Sequence, residues 1–595
     1  TDIDFVSVVV DERYDQVQKE RTRPVIVCLA VCLVYCCCRC RVRCRGSSVL
    51  RVWSRAIGAR NGRVFAELFS REMSAPRARP ACWSTVPVNG LLYRCHGFIL
   101  CLFCLCSIFC YCDGLYDSVS VDTAAAAAAV AAVASDGECR GRCDAGRAQR
   151  EQLVDVDEVV LEDPSDEVVR YHGHRLLRMQ VGSEKELNAL WKLRRRLWGS
   201  QEGSDPLAVD FWDEPQVRGQ EVTIRVAPAM LDRLTEELRA ANVTYSTLTE
   251  DLQKWIDKEA QENVANEDGL GARDGVFNLG MYHTLKEINE SLVMLHQRHP
   301  NNTKLVVLGK TSEGRRITGI RIGSGSATRP AVFVDGGMHA REWIAPAAIM
   351  YLAHRLLEGH TERPSTEGLT EKVDWYLFPV MNPDGYEYTW NTNRLWRKNR
   401  RKTTRFSQFC RGVDPNRNFG VHFGRRGSSA NPCAENYAGT SAFSERESQA
   451  VRDGVMRLKD RLVVYMNVHS YSQVVMSPYG YTKSRPINYD DQEAAMKAFV
   501  EGLGSQFNAT FRYGSAANTM YHTSGAAIDW VHDVPKVKYS MVVELRDKGR
   551  YGFILPNEFI VPSGMELVEG FRHLMEHLDS KNELVIKRLN QDAAW

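Results

Sequence analysis

Two short apolar segments, each followed by candidate metal ligands, restrict the fold of this chain more than any other feature. Residues 331–335 and 462–466 have the length and apolar composition of buried strands. His339 and Glu342 follow the first segment, and His469 follows the second. Because open α/β sheets form their sites at the carboxyl ends of strands, we expect these three side chains to converge there.

The residue types at these positions are those of a catalytic zinc site. Zinc binds imidazole nitrogen and carboxylate oxygen, and a catalytic site uses three protein ligands and keeps a fourth position open. A lone His-x-x-Glu pair occurs by chance on protein surfaces. Here the apolar spacing of residues 344–357 predicts a helix packed on the sheet, which supports a buried site.

Length, charge and cysteine content limit the class of protein. The 595 residues suggest two or three domains, and the net charge of +2 gives no reason to expect a nucleic-acid partner. Of the 18 cysteines, all but Cys410 and Cys433 lie before residue 144. This remaining pair lacks metal-type spacing and is typical of a disulfide that closes a loop, which implies secretion. Two free thiols in a cytosolic protein are the alternative.

The first 167 residues do not have the pattern of a folded domain. They contain two apolar runs, a cysteine-rich basic stretch and an alanine homopolymer, at residues 24–38, 98–112, 36–44 and 124–129. The runs suit a signal peptide but are shorter than the ~18 residues of a membrane-spanning helix. A signal peptide, a membrane anchor and translated non-coding sequence are the three interpretations. We favour the last, combined with a displaced signal peptide, and expect disorder and no membrane span.

The rest of the chain divides into an α+β segment and a larger α/β segment. Residues 168–262 are predicted to contain strands at 175–181, 210–212 and 221–226 and helices at 184–197, 229–240 and 248–258. Residues 259–274 have few large apolar residues and predict an exposed linker, placed at 263–273, with Arg273 as the best tryptic site. Strands and helices then alternate over 274–595 and end in a helix from 565 to about 584.

Several blocks of this sequence resemble those of the zinc metallocarboxypeptidases of the carboxypeptidase A/B type. They occur in the same order and at similar spacing, and the resemblance covers roughly residues 171–595. The blocks are Arg394–Lys398, Asp414–Asn418, His469–Gln473, Tyr521 with Ser524–Gly525, and Glu544–Asp547. The resemblance implies a mixed twisted sheet flanked by helices and preceded by a small α+β activation domain. It also implies one zinc ion per chain on His339, Glu342 and His469, and a disulfide between Cys410 and Cys433.

Catalytic roles follow from the same resemblance. Glu544 matches the general base and proton shuttle, although a salt bridge to Arg546 or Arg550 would also explain a carboxylate in an apolar strand. Arg397 matches the arginine that stabilises the oxyanion, a role suited to a fixed cation. Asp414 matches the carboxylate that orients His339.

Substrate recognition is implied at a further set of positions. Arg417 would bind the terminal carboxylate in bidentate fashion, with Asn416 beside it and Tyr521 closing over the substrate. Arg341 and Tyr471 match subsite residues, and the Ser470–Tyr471 peptide bond is expected to be cis. Ile528 matches the pocket floor that is acidic in enzymes specific for basic residues. The matching wall positions are uncharged: Gly480, Ala516, Thr523 and Ala527.

The sequence therefore predicts a secreted zinc exopeptidase, made as an inhibited zymogen. It would remove hydrophobic or aromatic C-terminal residues from peptides with a free C-terminus, after activation by a trypsin-like protease. A non-catalytic or differently regulated family member that binds peptides is the alternative, and would be indicated by loss of Glu544 or a ligand. A membrane-tethered or nucleic-acid-binding protein would require a spanning segment or an ordered basic motif.

Overall fold

A computed structural model of the chain describes residues 167–199, 208–267, 277–358, 368–403 and 410–584. The predictions for residues 1–166, including the signal peptide and the membrane anchor, lie outside the described residues, as does Arg273. Within the described ranges, no helix combines the length and the apolar character needed to cross a bilayer.

Among residues 167–199 and 208–267, four strands form an antiparallel sheet in the order β2-β3-β1-β4. Leu177 and Met179 of β1 pack on the helices that cover one face, whereas Leu176 of the same strand is buried in another cluster, with Tyr471 and Phe553. Ser183 Oγ accepts a hydrogen bond from the Glu186 N–H, which caps the first helix. The strands are β1 (Arg175–Gln180), β2 (Val209–Phe211), β3 (Glu221–Val226) and β4 (Tyr245–Thr249), and the helices are α1 (Glu184–Gly199), α2 (Pro228–Ala240) and α3 (Gln253–Glu267).

Helix α3 extends into residues that were predicted to form an exposed linker. The sequence suggested a short helix over 248–258 and an exposed segment from Glu259 onwards. Instead β4 occupies residues 245–249, and α3 continues to Glu267 with Glu259 and Asn263 buried. Both side chains contact residues that are distant in sequence, and Glu259 pairs with Arg394. Residues 259–267 are therefore helical, and the prediction of exposure is wrong at Glu259 and Asn263, because tertiary partners stabilise a helix whose composition is not distinctly apolar.

Within residues 277–358, 368–403 and 410–584, eight strands form a mixed sheet in the order β11-β10-β12-β9-β7-β8-β6-β5. The pairs β12–β9, β9–β7 and β7–β8 are parallel, and the sheet is antiparallel at β5–β6, β6–β8 and β10–β12. The strands are β5 (Thr303–Lys310), β6 (Arg316–Ile322), β7 (Ala331–Gly336), β8 (Asp374–Phe378), β9 (Leu462–His469), β10 (Val474–Ser477), β11 (Arg512–Ser515) and β12 (Tyr539–Glu544).

Helices cover both faces of this sheet, so the predicted α/β architecture is confirmed. The final helix is α12 (Ile560–Ser580), which begins and ends earlier than the predicted 565–584. The other helices are α4 (Leu285–Arg298), α5 (Ile344–Glu358), α6 (Leu369–Lys372), α7 (Pro383–Asn391), α8 (Arg446–Leu458), α9 (Tyr489–Gly504), α10 (Ala516–Thr519) and α11 (Ala527–Asp533), with short 3-10 helices at Pro415–Arg417 and Asn557–Phe559.

Alternate residues of the central strand β7 pack into two separate hydrophobic clusters. Val332 and Val334 pack into the cluster formed with α4, α5, α9 and α12, whereas Ala331 and Phe333 pack into the cluster formed with α8 and α11. Strands β7, β9 and β12 run parallel in the middle of the sheet, so their carboxyl ends lie side by side. Buried parallel strands of this kind place any polar side chain at those ends in one shared site.

Candidate active site

His339, Glu342 and His469 converge at the carboxyl ends of β7 and β9. Their candidate ligand atoms all lie within 4.8 Å of one another, and all three residues are buried. The Nδ1 atoms of His339 and His469 each lie 2.8 Å from one oxygen of the Glu342 carboxylate. Two imidazoles and one carboxylate, with no fourth protein ligand among the residues that the structure describes, suit a catalytic zinc ion.

A glycine turn directs the chain from β7 to the first two of these residues. Gly337 has a φ of +60°, and a Cβ there would lie 3.0 Å from the Pro379 carbonyl oxygen. A left-handed backbone pressed against a neighbouring loop is compatible with glycine and strained for other residues. The turn leads into the short connection before α5, where His339 and Glu342 lie.

The other ring nitrogen of each histidine, Nε2, also has a hydrogen-bond partner. His339 Nε2 donates to Asp414 Oδ1 at 3.0 Å, as the resemblance implied, and His469 Nε2 donates to Asn467 Oδ1 at 2.6 Å. Both rings therefore present Nδ1 to the metal position, which is the arrangement expected for zinc-binding histidines. Asn467 was not predicted. Its signal in the sequence is a polar residue in an apolar strand, two positions before His469 and so on the same face.

Arg397 and Asp414 form a charged pair next to the ligands. Arg397 Nη2 donates to Asp414 Oδ2 at 2.8 Å, and Nη1 lies 3.8 Å from Glu342 Oε1. Burial acts to raise the pKa of Asp414, but the charges of Arg397 and His339 hold it well below its usual value. Asp414 therefore remains a carboxylate, which fixes both the His339 ring and the Arg397 guanidinium.

Glu544 lies at the end of β12, level with His469 on the neighbouring parallel strand. Burial raises the pKa of the Glu544 carboxyl to about 8, although the charge of His469 acts to lower it. Arg546, one of the alternative salt-bridge partners, donates to Glu566 at 2.8 Å, and Arg550, the other, is exposed. Glu544 is thus a carboxyl group placed beside the ligand cluster, with the position and environment of an acid–base group.

The loop after Asp414 holds the residues expected to recognise a terminal carboxylate. Arg417 is buried, and its Nε and Nη1 atoms donate to the carbonyl oxygens of Gly427 and Asn416 at 3.0 and 2.8 Å. Asn416 Oδ1 accepts from the Ala527 N–H at 2.9 Å, so its side chain joins this loop to α11. Burial raises the pKa of Tyr521 to about 12, while the charges of Arg417 and Arg397 act to lower it. These interactions group Tyr521 with both arginines.

Ile528 and Asp529 have different surroundings. Ile528 is buried in α11 within the apolar cluster that contains Met476 and Ala516. Both oxygens of Asp529 accept from the Gly480 N–H, at 3.0 and 3.1 Å, and burial raises the pKa of Asp529 to about 7. The Asp529 carboxylate is thus hydrogen-bonded to the backbone of Gly480, one of the predicted wall positions of the pocket.

Arg341 and Tyr471 both contact the small α+β segment. Arg341 Nη1 donates to Asp210 Oδ2 at 2.8 Å, and the Tyr471 hydroxyl donates to Asp213 Oδ2 at 2.9 Å. The Ser470–Tyr471 peptide bond is cis, as predicted. The predicted disulfide bond between Cys410 and Cys433 is also present.

Comparison with known proteins gives matches over both segments. Residues 288–570 match the family described as zinc carboxypeptidase, and residues 177–259 match the carboxypeptidase activation peptide. The chain is 35% identical to carboxypeptidase A1 of Sus scrofa over 405 residues, covering 68% of this chain and 94% of that protein. It is also 35% identical to zinc carboxypeptidase A 1 of Anopheles gambiae over 425 residues, covering 71% and 94%. The crystal structure of carboxypeptidase A from Helicoverpa armigera matches with a TM-score of 0.63 and 27% identity, covering 69% of this chain and 98% of that structure.

Proposed function

This chain belongs to the zinc carboxypeptidase family, and we propose that it is a secreted zymogen whose activated form removes hydrophobic and aromatic residues from the C-termini of peptides. The observation that carries this proposal is the placement of Glu544 beside the buried cluster of His339, Glu342 and His469. A ligand set for zinc next to a carboxyl group suited to proton transfer is what peptide hydrolysis requires.

In this proposal each residue has a defined role in hydrolysis. His339, Glu342 and His469 would hold zinc, which would act as a Lewis acid and would lower the pKa of water towards about 7. Glu544 takes a proton from the attacking water and passes it to the leaving amine. Arg397, held in place by Asp414, stabilises the negative charge that develops on the carbonyl oxygen.

The terminal carboxylate of the substrate is assigned to the neighbouring loop. Arg417 binds it as a fixed guanidinium, Asn416 lies next to it, and Tyr521 closes over it. The backbone bonds that hold Arg417 support this role, because a guanidinium that is already oriented loses little entropy when it binds an anion. Tyr471 contributes to the subsites on the other side of the scissile bond, together with Arg341.

The preference for hydrophobic residues rests on Ile528. Its neighbours in the apolar cluster, Met476 and Ala516 among them, carry no charge that could pair with a lysine or arginine side chain, and burying an unpaired cation is costly. Asp529 is the nearest carboxylate in sequence. Its two bonds to the Gly480 N–H support the view that it stabilises the pocket wall and does not receive a substrate cation.

The zymogen proposal rests on the small α+β segment formed by residues 167–199 and 208–267, here called the activation segment. Asp210 and Glu259 of this segment pair with Arg341 and Arg394. Cleavage by a trypsin-like protease after Arg273 would separate the segment from the catalytic domain. Secretion is supported by the Cys410–Cys433 disulfide, a bond typical of oxidising compartments.

The test compares the zinc-loaded full chain before and after trypsin treatment. We expect kcat/KM after cleavage to be highest for peptides ending in Phe or Leu and much lower for peptides ending in Arg. The Glu544→Gln chain, treated in the same way, is the control for contaminating proteases. Equal activity before and after cleavage would contradict the zymogen proposal. A preference for C-terminal Arg over Phe would contradict the assigned pocket. Binding without hydrolysis in a zinc-loaded, cleaved chain would favour the non-catalytic alternative.

A further inference from the structure

Four segments of this chain carry the Asn-x-Ser/Thr pattern that accepts N-linked sugars in secreted proteins. They are residues 242–244, 289–291, 301–303 and 508–510. The pattern also occurs by chance, so its presence alone does not identify a modified asparagine. A bulky sugar must extend from the folded protein into solvent, and the structure separates the four segments by this requirement.

Three of the four asparagines lie in exposed turns. Asn242 follows α2, Asn301 lies between α4 and β5, and Asn508 lies between α9 and β11. All three side chains are exposed. A sugar attached to any of them would therefore extend into solvent without displacing a packed side chain.

The backbone offers a simpler reason for two of these asparagines. Asn242 and Asn508 have φ angles of +60° and +51°, in the left-handed region that asparagine tolerates better than most residues. A turn of this kind needs the asparagine but not a threonine two positions later. Thr244 and Thr510 are both exposed and outside the core, so they complete the pattern without a packing role.

Asn289 has different surroundings. It is half-buried inside α4 (Leu285–Arg298), and Ser291 is fully buried, with its Oγ 3.0 Å from His354 Nε2. A helix turns by about 100° per residue, so Asn289 and Ser291 lie roughly 200° apart around its axis. The helix therefore points the two side chains in different directions, and a sugar on Asn289 would have to displace the residues that partly cover it.

A sugar on Asn242 is compatible with a docked activation segment. The next residue, Val243, packs into the core of the segment itself. A different cluster, which contains Leu176 and Trp212, includes Tyr471 of the catalytic domain. Asn242 thus adjoins the segment's own core and not this contact, and its sugar would leave with the segment after cleavage.

We propose that Asn242, Asn301 and Asn508 carry N-linked oligosaccharides and that Asn289 does not. This inference rests on the proposed function only through secretion. In the transfer, the asparagine side-chain nitrogen attacks the anomeric carbon of an oligosaccharide linked to a lipid diphosphate. An N–C bond forms, the sugar's C–O bond breaks, and the lipid diphosphate leaves with the bonding electrons. The amide nitrogen passes one proton to a base of the transferase.

The test maps the sugars on the full chain secreted by mammalian cells. The chain is expressed in two forms, one without added sequence and one with an added signal peptide. Peptide N-glycosidase converts a glycosylated asparagine to aspartate and leaves an unmodified one unchanged, and mass spectrometry of the peptides distinguishes the two. We expect conversion at Asn242, Asn301 and Asn508 and none at Asn289. A bare asparagine at any of the first three overturns its assignment, and a sugar on Asn289 overturns the requirement for exposure.

Variants check each assignment. Thr244→Ala and Thr510→Ala should each remove one sugar, whereas Thr244→Ser and Thr510→Ser keep the pattern and should keep the sugar. Asn301→Gln should remove a sugar, and Asn302→Gln, which leaves the pattern at 301–303 intact, should not. The measurement is gel mobility before and after glycosidase treatment. Unchanged mobility in a variant that lacks the pattern would assign the sugar to another residue. Because the sites are mapped on the unaltered protein, the test does not depend on the variants folding.

Two results separate this inference from the proposed function. If the chain is secreted only with an added signal peptide and then carries the three sugars, the proposed secretion of the unaltered chain fails and the inference stands. If the secreted chain has bare asparagines at all three positions but hydrolyses peptides ending in Phe after trypsin treatment, the inference is overturned. The exopeptidase proposal stands in that case, and the three asparagines are turn residues only.

Discussion

Asn467 Oδ1 lies 2.6 Å from His469 Nε2, so Asn467 determines which nitrogen of His469 is available to a metal. The Nδ1 atom of the same ring lies 2.8 Å from Glu342 Oε2, at the centre of the ligand cluster. On the other side of the cluster Asp414 holds the Nε2 atom of His339 in the same way. One ligand is thus oriented by an amide and the other by a carboxylate.

Asn467→Leu should weaken zinc binding by about 10–100-fold, the usual effect of losing a group that orients a metal-binding histidine. The measurement is zinc affinity by competition with a chelator. Asn557→Leu is the control, because Asn557 is also buried and bonds to Asn263, outside the ligand cluster. Unchanged affinity in Asn467→Leu would mean that packing alone orients His469.

Replacing a ligand should remove the metal. We expect His339→Ala and His469→Ala each to be purified with less than one zinc ion per chain, since two protein ligands hold the metal weakly. The wild type and His573→Ala, a partly buried histidine on α12, should each retain one zinc ion. Metal analysis by mass spectrometry gives the ratio. Full zinc content in either ligand variant would contradict the assigned set.

Glu544→Gln should reduce kcat by about 10²–10⁴-fold, the usual contribution of a general base. Zinc content should not change, because Glu544 is not among the three proposed ligands. Glu558→Gln, an exposed glutamate, serves as the matched control and should keep wild-type turnover. Near-normal turnover in Glu544→Gln would assign proton transfer to another group.

Ile528→Asp should shift specificity towards peptides ending in Lys or Arg. A carboxylate at the pocket floor pairs a substrate cation that otherwise enters without a partner, and the cost it offsets is about 2–7 kcal/mol or more. The ratio of kcat/KM for Arg to that for Phe measures the shift. Ile528→Asn is the matched control for size and polarity. If Ile528→Asp leaves the ratio unchanged, the pocket floor has been assigned to the wrong residue.

Weakening the two ion pairs of the activation segment should raise the activity of the uncleaved chain. Asp210→Asn with Glu259→Gln removes the carboxylates that bind the buried Arg341 and Arg394, and breaking a buried ion pair in this way typically costs about 3–5 kcal/mol. We expect a higher kcat/KM before trypsin treatment and an unchanged value afterwards. Asp232→Asn with Glu236→Gln, two exposed carboxylates on the same segment, is the charge-matched control. Equal basal activity in the double variant and the control would show that other contacts hold the segment.

The metal ligands and the central strands could be predicted from the sequence because their signals are local. Residues 331–335 and 462–466 are apolar runs of strand length, and strands β7 and β9 were found at those positions. The ligand residues follow the strands within a few positions, which agrees with the set that the family resemblance implied: His339, Glu342 and His469. The resemblance to a family added Asp414, which lies 75 positions from its partner His339.

Other features depended on contacts that no short segment specifies. Glu259 was assigned to an exposed linker, because its partner Arg394 lies 135 positions away and buries it only once both segments have folded. The sequence could not show whether Ile528 or Asp529 faces the pocket, because a shift of one position exchanges the two. The packing of α11 against Gly480 decides which side chain faces it.

The sequence by itself therefore determined the chemistry of the site, since ligand types, strand composition and motif order are properties of short stretches of chain. The tertiary structure decided which groups orient the ligands, which residues bind the activation segment and which carboxylate stabilises the pocket wall. It placed Asn467 on His469, brought Asp210 and Glu259 onto Arg341 and Arg394, and bound Asp529 to the pocket wall. These relations depend on strand register and on the docking of one segment onto another, and both are set by the summed packing of distant residues.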